Sequence, residues 1–411
     1  MLLLPFSVLP ILLAAPAFAT PDDNANAFLA LTTNGPIIGH PAANAPDVAE
    51  YLGIPYAAPP LGPLRFAAPQ PYSGNNETFI AAHYGATCPQ TASARVAYPD
   101  RTPQAQRVVA AFAGQLNHTQ SEDCLTLNVW TRATATNGTA GGPSQRSDLK
   151  PILVFIHGGR FTIGESNTPF FDGTKLAASQ DLIVVTINYR VSIFGFPGDA
   201  AGLKNLAFRD QRLAVEWVRD NAAAFGGDAE RIVIAGQSAG GAAVDYWAYA
   251  HREDPVVAGI VPMSGNVWSF PVSSVETAAE RWANVSAAAG CGAGSAGVGA
   301  GGDGVLECMR GKDFEVIKKA VAGLRLPTVS GQGRSEAVFQ PTVDNETVFD
   351  QETLKKMTQA GEFARVVRLD RLYSAVVGIR RRLMIGSLIS SETPTSKPGT
   401  TAGLLTVQAA S

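Results

Sequence analysis

The chain has 411 residues, 46% of them hydrophobic and 16% charged, with a net charge of −3. That balance is ordinary for a globular protein, and the length suits either two domains or one large α/β domain. A small charge without long runs excludes an electrostatic argument for binding nucleic acid or an anionic membrane.

In chain order, "MLLLPFSVLPILLAAPAFA" (residues 1–19) is an apolar run without charge that ends in Ala17-Phe18-Ala19. It predicts a secretory signal peptide with a small-x-small cleavage site. A membrane anchor is disfavoured by Pro5, Pro10 and Pro16, and no later segment is long and apolar enough to span a bilayer. The expected location is therefore extracellular. Residues 20–130 alternate short apolar runs with Pro and Gly turns, and "TATNGTAGGPSQRSDLK" reads as an exposed loop. "PILVFIHGG", "LIVVTINYR" and "RIVIAG" are continuous apolar runs of the kind buried on both faces of a parallel sheet. "RDQRLAVEWVRDNAAAF" has helical spacing and stops at Gly226-Gly227, and "AGGAAVDYWAYAH" predicts a second helix. Strands alternating with helices predict a doubly wound α/β sheet. Beyond about residue 365 the composition changes to an arginine-rich stretch and then to "SSETPTSKPGTTAG", which reads as a disordered tail.

Secretion would let the cysteines, Cys88, Cys124, Cys291 and Cys308, form disulfides. Sequence alone allows three pairings, of which the sequential one is simplest; the close ligand spacing of a zinc site is absent. N-x-[ST] sequons stand at Asn76, Asn117, Asn137, Asn284 and Asn345 and would be usable in the same compartment. Gly292-x-Gly294-x-x-Gly297 formally matches a dinucleotide fingerprint, but it follows no strand and lies in a Gly-rich run. Arg380-Arg381-Arg382 establishes no binding partner.

Two motifs point to chemistry. "RIVIAGQSAGGAAV" places Ser238 between glycines where a strand turns into a helix, the context of a nucleophile elbow. "IHGGRF" ends an earlier strand, and its backbone N–H groups with that of Ala239 could hold an oxyanion. Both lie at strand C-terminal ends, where open α/β sheets place ligands.

These motifs, with "GIPYAAPPLGPLRFAAPQP", "SEDCLTLNVW", "TINYRVSIFGF", "LAFRDQRLAVEWVRDNAAAFGGDAERIVIAGQSAGG" and "QPTVDNETVF", resemble the type-B carboxylesterases, the cholinesterase and fungal lipase family of α/β-hydrolases, over about residues 27–365. The resemblance implies an α/β-hydrolase fold with a mostly parallel sheet and Ser238 as nucleophile. It implies an oxyanion hole from the N–H groups of Gly159, Arg160 and Ala239. It also implies the disulfides Cys88–Cys124 and Cys291–Cys308, and buried ion pairs Arg65–Glu122 and Arg190–Asp210. Arg160 stands where many members have a third glycine, and Gln237 replaces a glutamate common beside the nucleophile in animal members.

In this fold the triad runs Ser, then Asp or Glu, then His. The histidines are His40, His83, His118, His157 and His251, and only His251 follows Ser238. Along one helix it would lie roughly 20 Å away, out of reach. Asp344, Glu346, Asp350 and Asp370 do not match the family's acid position. The resemblance stops at "GEFAR", which points to an altered reading frame, a retained intron or a mis-set gene end. The expected domains are a signal over 1–19, an incomplete hydrolase domain over 20–365 lacking its C-terminal part, and a divergent tail over 366–411. The implied activity is hydrolysis of a small-molecule or lipid ester through a serine acyl-enzyme, with no metal or cofactor. The chain as written is expected to turn over esters negligibly; the alternatives are a non-catalytic binding module and an inactive fragment.

Overall fold

The computed structural model describes residues 28–369 apart from 75–76, 93–101, 133–147, 200–201, 203, 293–301 and 325–336. The predicted signal, Asn76, Asn137, most of the Gly-rich fingerprint, Asp370 and the arginine run lie outside the described residues.

The first half supplies short strands β1 (Leu29–Thr32), β2 (Gly35–Ile38), β3 (His40–Ala42), β4 (Ala45–Pro55), β5 (Phe79–Ile80) and β6 (Thr126–Arg132), with helix α1 (Pro103–Phe112) between the last two. Strands and helices then alternate: β7 (Lys150–Ile156), α2 (Thr174–Gln180), β8 (Ile183–Ile187), α3 (Ser192–Gly195), α4 (Leu206–Asn221), β9 (Gly227–Gln237), α5 (Ala239–Ala250) and β10 (Gly259–Met263). Helices α6 (Val275–Ala288), α7 (Gly302–Gly311), α8 (Phe314–Gly323) and α9 (Gln351–Ala360) follow, and β11 (Val367–Arg368) closes the described chain.

The main sheet has eight strands in the order β11-β10-β9-β7-β8-β6-β4-β3, and β1, β2 and β5 form a small separate sheet. The half from β11 to β8 is parallel, whereas the pairings of β8 with β6, β6 with β4 and β4 with β3 are antiparallel. The sheet is therefore mixed. Its parallel character belongs to the half where helical crossovers join the strands, because a parallel return needs a long connection.

Every residue of β8 is buried. Its side chains alternate between faces: Ile183, Val185 and Ile187 join the large apolar cluster with α4 and α5, while Val184 joins Trp130, Val48, Leu52 and Ala177 of α2 in a smaller one. Coverage on both faces explains the unbroken apolar runs. Nearly all of α5 is buried as well, which matches its lack of a polar face. Helix α4 ends in a short 3-10 turn at Ala222–Phe225, and Gly226 takes φ 77° there, the left-handed stop that glycine adopts without strain.

The parallel register aligns the ends of the strands that matter. Ile156 pairs with both Ile187 and Gly236, so the turn after β7 and the turn after β9 emerge side by side. Cys88 is bonded to Cys124 and Cys291 to Cys308. Among the described residues no helix is long and apolar enough to cross a membrane.

Candidate active site

Ser238 sits between the last residue of β9 and the first of α5, with φ 58° and ψ −118°. A side chain rarely adopts such a backbone, and it survives only where the surroundings over-determine it. Here the Ser238 N–H donates to the Met263 carbonyl at 2.9 Å and its carbonyl accepts from Ala242 N–H at 2.9 Å. The turn is also too crowded for larger residues. A Cβ at Gly240 would lie 2.1 Å from the Ile156 carbonyl oxygen, so only glycine lets α5 start that close to β7.

The loop after β7 meets this turn. A Cβ on Gly158 would lie 2.5 Å from the Gln237 carbonyl oxygen and 3.2 Å from Ser238 Cβ. Gly159, Arg160 and Phe161 follow with φ of 115°, 59° and 62°, a run of left-handed residues that curls the backbone. The curl is closed by the Gly159 carbonyl, which accepts from Thr162 N–H at 3.0 Å and Ile163 N–H at 3.1 Å. Gln90 clasps its far end, donating to the Gly164 carbonyl at 3.0 Å and accepting from Gly164 N–H at 2.8 Å. Ala239, fully buried, opens α5, where the free N–H groups of a helix start favour negative charge. The loop after β7 and the start of α5 thus meet at Ser238.

The histidines are distributed differently. His157 is buried and stacked on Tyr189 with ring centroids 4.2 Å apart, and its Nδ1 lies 2.9 Å from the Gly158 carbonyl oxygen. Burial pushes its pKa down to about 4, so it stays neutral at ordinary pH. His251 caps the far end of α5, edge-on to Trp247, with its pKa also lowered to about 4 by burial and then by Arg212. His40 lies near Glu50, Nδ1 to Oε1 3.7 Å, and His83 is exposed. His118 Nδ1 lies 3.0 Å from Glu165 Oε2, which also accepts from the Thr87 hydroxyl. No histidine nitrogen among the described residues is hydrogen-bonded to Ser238 Oγ.

The candidate carboxylates among the described residues all have structural partners. Asp344 binds a turn through the N–H groups of Glu346, Thr347 and Val348; burial works against its ionisation, but these bonds with that of the Thr347 hydroxyl hold its pKa below the usual value. Glu346 pairs with Arg209 at 2.8 Å, and Asp350 caps the start of α9. Among the described residues no group of acidic, His and Cys side chains could hold a metal ion.

A profile of the Carboxylesterase family matches residues 27–369. The chain belongs to this family. Relatives include a chlorogenic acid esterase of Aspergillus niger, 35% identical over 85% of this chain and 62% of its own length. An acetylcholinesterase of Gallus gallus is 34% identical over 78% of this chain and 39% of its own. Secreted lipase 5 of Gibberella zeae is 34% identical over 63% of this chain and 49% of its own. The chain thus spans about 39–62% of the length of these relatives. The profile match ends a few residues beyond the boundary expected near residue 365.

Arg65 and Glu122 are hydrogen-bonded in the interior, as are Arg190 and Asp210, at 2.6–2.8 Å for the latter side chains. The Gln90 clasp and the Thr87–Glu165–His118 cluster were invisible in sequence, because their members come from segments about 30 to 78 residues apart. Asp245 of α5 was also missed: it is buried, accepts from Val267 N–H at 3.0 Å, and pairs with Arg368 of β11 at 2.7 Å. A lone aspartate in an otherwise apolar helix was the available signal.

Proposed function

We propose that this carboxylesterase-family chain carries the nucleophile and oxyanion half of a serine ester hydrolase. The observation that supports this most strongly is the left-handed backbone of Ser238 at the β9–α5 junction with Gly158 packed against it. Ser238 Oγ attacks the carbonyl carbon of a small-molecule or lipid ester. The carbonyl oxygen takes the developing charge, held by the N–H groups of Gly159, Arg160 and Ala239, and the alcohol leaves as an acyl-enzyme forms. Water then releases the acid. No cofactor enters this scheme.

Serine attack needs a base, and we assign none of the chain's histidines to it. His157 binds its proton too weakly and holds Gly158 instead, while His251 stands at the opposite end of α5, about 20 Å along the helix axis. Turnover of ordinary esters by residues 1–411 alone is accordingly negligible, since loss of triad members costs on the order of a million-fold in a well-studied serine protease. We place the protein outside the cell; its disulfides and its similarity to a protein named a secreted lipase support that.

The test is turnover of a chromogenic acyl ester by the full chain and by Ser238→Ala. Background-level rates for both are expected. A kcat within the usual enzyme range, abolished in Ser238→Ala, would show that a base is present and overturn the assignment of none. Equal turnover well above background in both proteins would remove Ser238 from the chemistry.

A further inference from the structure

At the end of α5 away from Ser238 lies an open cleft of about 370 Å³, lined by Arg212, His251, Asp254, Asn345, Glu346 and Phe349 among others. That size falls within the ~300–1,000 Å³ range of small-ligand sites. The charges around it are already matched. Arg212 pairs with Glu216 at 2.7 Å and with Asp254 at 2.6 Å. Glu346 pairs with Arg209 at 2.8 Å, and Arg252 with Glu253 at 3.3 Å. Burial keeps the His251 ring neutral, and Phe349, itself buried in the core, is the aromatic residue of the lining. A cleft whose charges are already paired within the protein suits an uncharged polyhydroxylated ring better than an ion.

Asn345 is exposed on the rim of this cleft at φ 58°, in the sequon Asn345-Glu346-Thr347. We propose that Asn345 carries an N-linked glycan whose first sugar rests in the cleft between Arg212, Asp254 and Phe349. In the transfer, Asn345 Nδ2 displaces the pyrophosphate leaving group from C1 of a lipid-pyrophosphate-linked oligosaccharide. The N–C1 bond forms, the C1–O bond breaks, and a proton leaves the amide nitrogen. The Thr347 hydroxyl donates to Asp344 Oδ2 at 2.7 Å in the folded protein, and Thr347 is buried. Transfer therefore precedes closure of the Asp344 turn. Once attached, the sugar is delivered to the cleft at the high effective concentration of a short tether. This inference does not depend on the esterase reading.

The experiment uses the full chain expressed in a secretory eukaryotic host. Release of N-glycans by an amidase in heavy-oxygen water should leave labelled aspartate at position 345; an unmodified Asn345 in secreted protein overturns the site. Native trypsin cleavage after Arg252, exposed beside the cleft, then reads the seat. Cleavage should stay slow when an endoglycosidase leaves only the first sugar, and should accelerate on complete removal or in Asn345→Gly. Glycine fits the left-handed backbone there, so the variant tests the sugar rather than the fold. Thr347→Ser retains the sequon and should retain protection. Equal cleavage with and without the sugar overturns the proposed seat while leaving the modification intact.

Discussion

The Arg65 guanidinium donates to both carboxylate oxygens of Glu122 and also to the carbonyls of Met309, Arg310 and Lys312 around the end of α7. Glu122 lies two residues before Cys124, and Met309 follows Cys308, so one buried cation joins the surroundings of both disulfides.

Arg65→Met leaves Glu122 buried without its counter-ion and removes the donor for the helix-end carbonyls. The expected loss is about 3–5 kcal/mol in urea unfolding. Adding Glu122→Leu should recover a substantial part, since the cost comes mainly from the stranded charge. A double variant no more stable than the single one would place the loss in the α7 carbonyls instead.

Ser238→Gly relieves the left-handed backbone of the elbow. We expect stability to rise by about 1 kcal/mol while any reaction with a fluorophosphonate disappears. Unfolding midpoints of Ser238→Gly and Ser238→Ala separate the backbone effect from loss of the hydroxyl, because alanine keeps the strain.

Gly240→Ala should act in the opposite sense. Its Cβ would meet the Ile156 carbonyl oxygen, a backbone atom that cannot turn away. The start of α5 must shift, at a cost of about 1–3 kcal/mol. Thermal unfolding measures the loss.

His157 has a folded pKa of about 4 against an ordinary 6.5, because burial disfavours its charged form. The unfolded chain therefore binds the proton more readily. Its contribution to stability is fully present above pH 6.5 and falls as pH drops toward 4, by about 3 kcal/mol over that window. His251 adds a loss of the same sign in the same window. Urea midpoints between pH 7 and pH 4 should fall, and His157→Gln should flatten the slope even though its absolute stability is lower. An unchanged slope would show that His157 is reachable by solvent.

The Cys291–Cys308 bond closes a loop with a sequence separation of 17. Replacing both cysteines by serine should lower stability by about 3 kcal/mol in the chain-entropy account. Comparison of urea midpoints with the parent protein checks it.

Ser238, Ala239 and the Gly-rich turn after β7 were legible in the sequence because their signal is local: an apolar strand, small residues, then helical spacing within about fifteen positions. The alternation that placed β7, β8, β9, α4 and α5 is local in the same way, since burial on both faces removes polar residues from a strand whatever its neighbours are. Other relationships required the folded chain. Gly158 reaches Ser238 because the register sets Ile156 opposite Gly236, about eighty residues later. The antiparallel half of the sheet, the Gln90 clasp, the Asp245–Arg368 pair and the cleft beside Asn345 likewise join distant segments. Short-range periodicity sets which face of an element is buried, whereas the partner on that face is selected by close packing and by the need to satisfy every buried polar group.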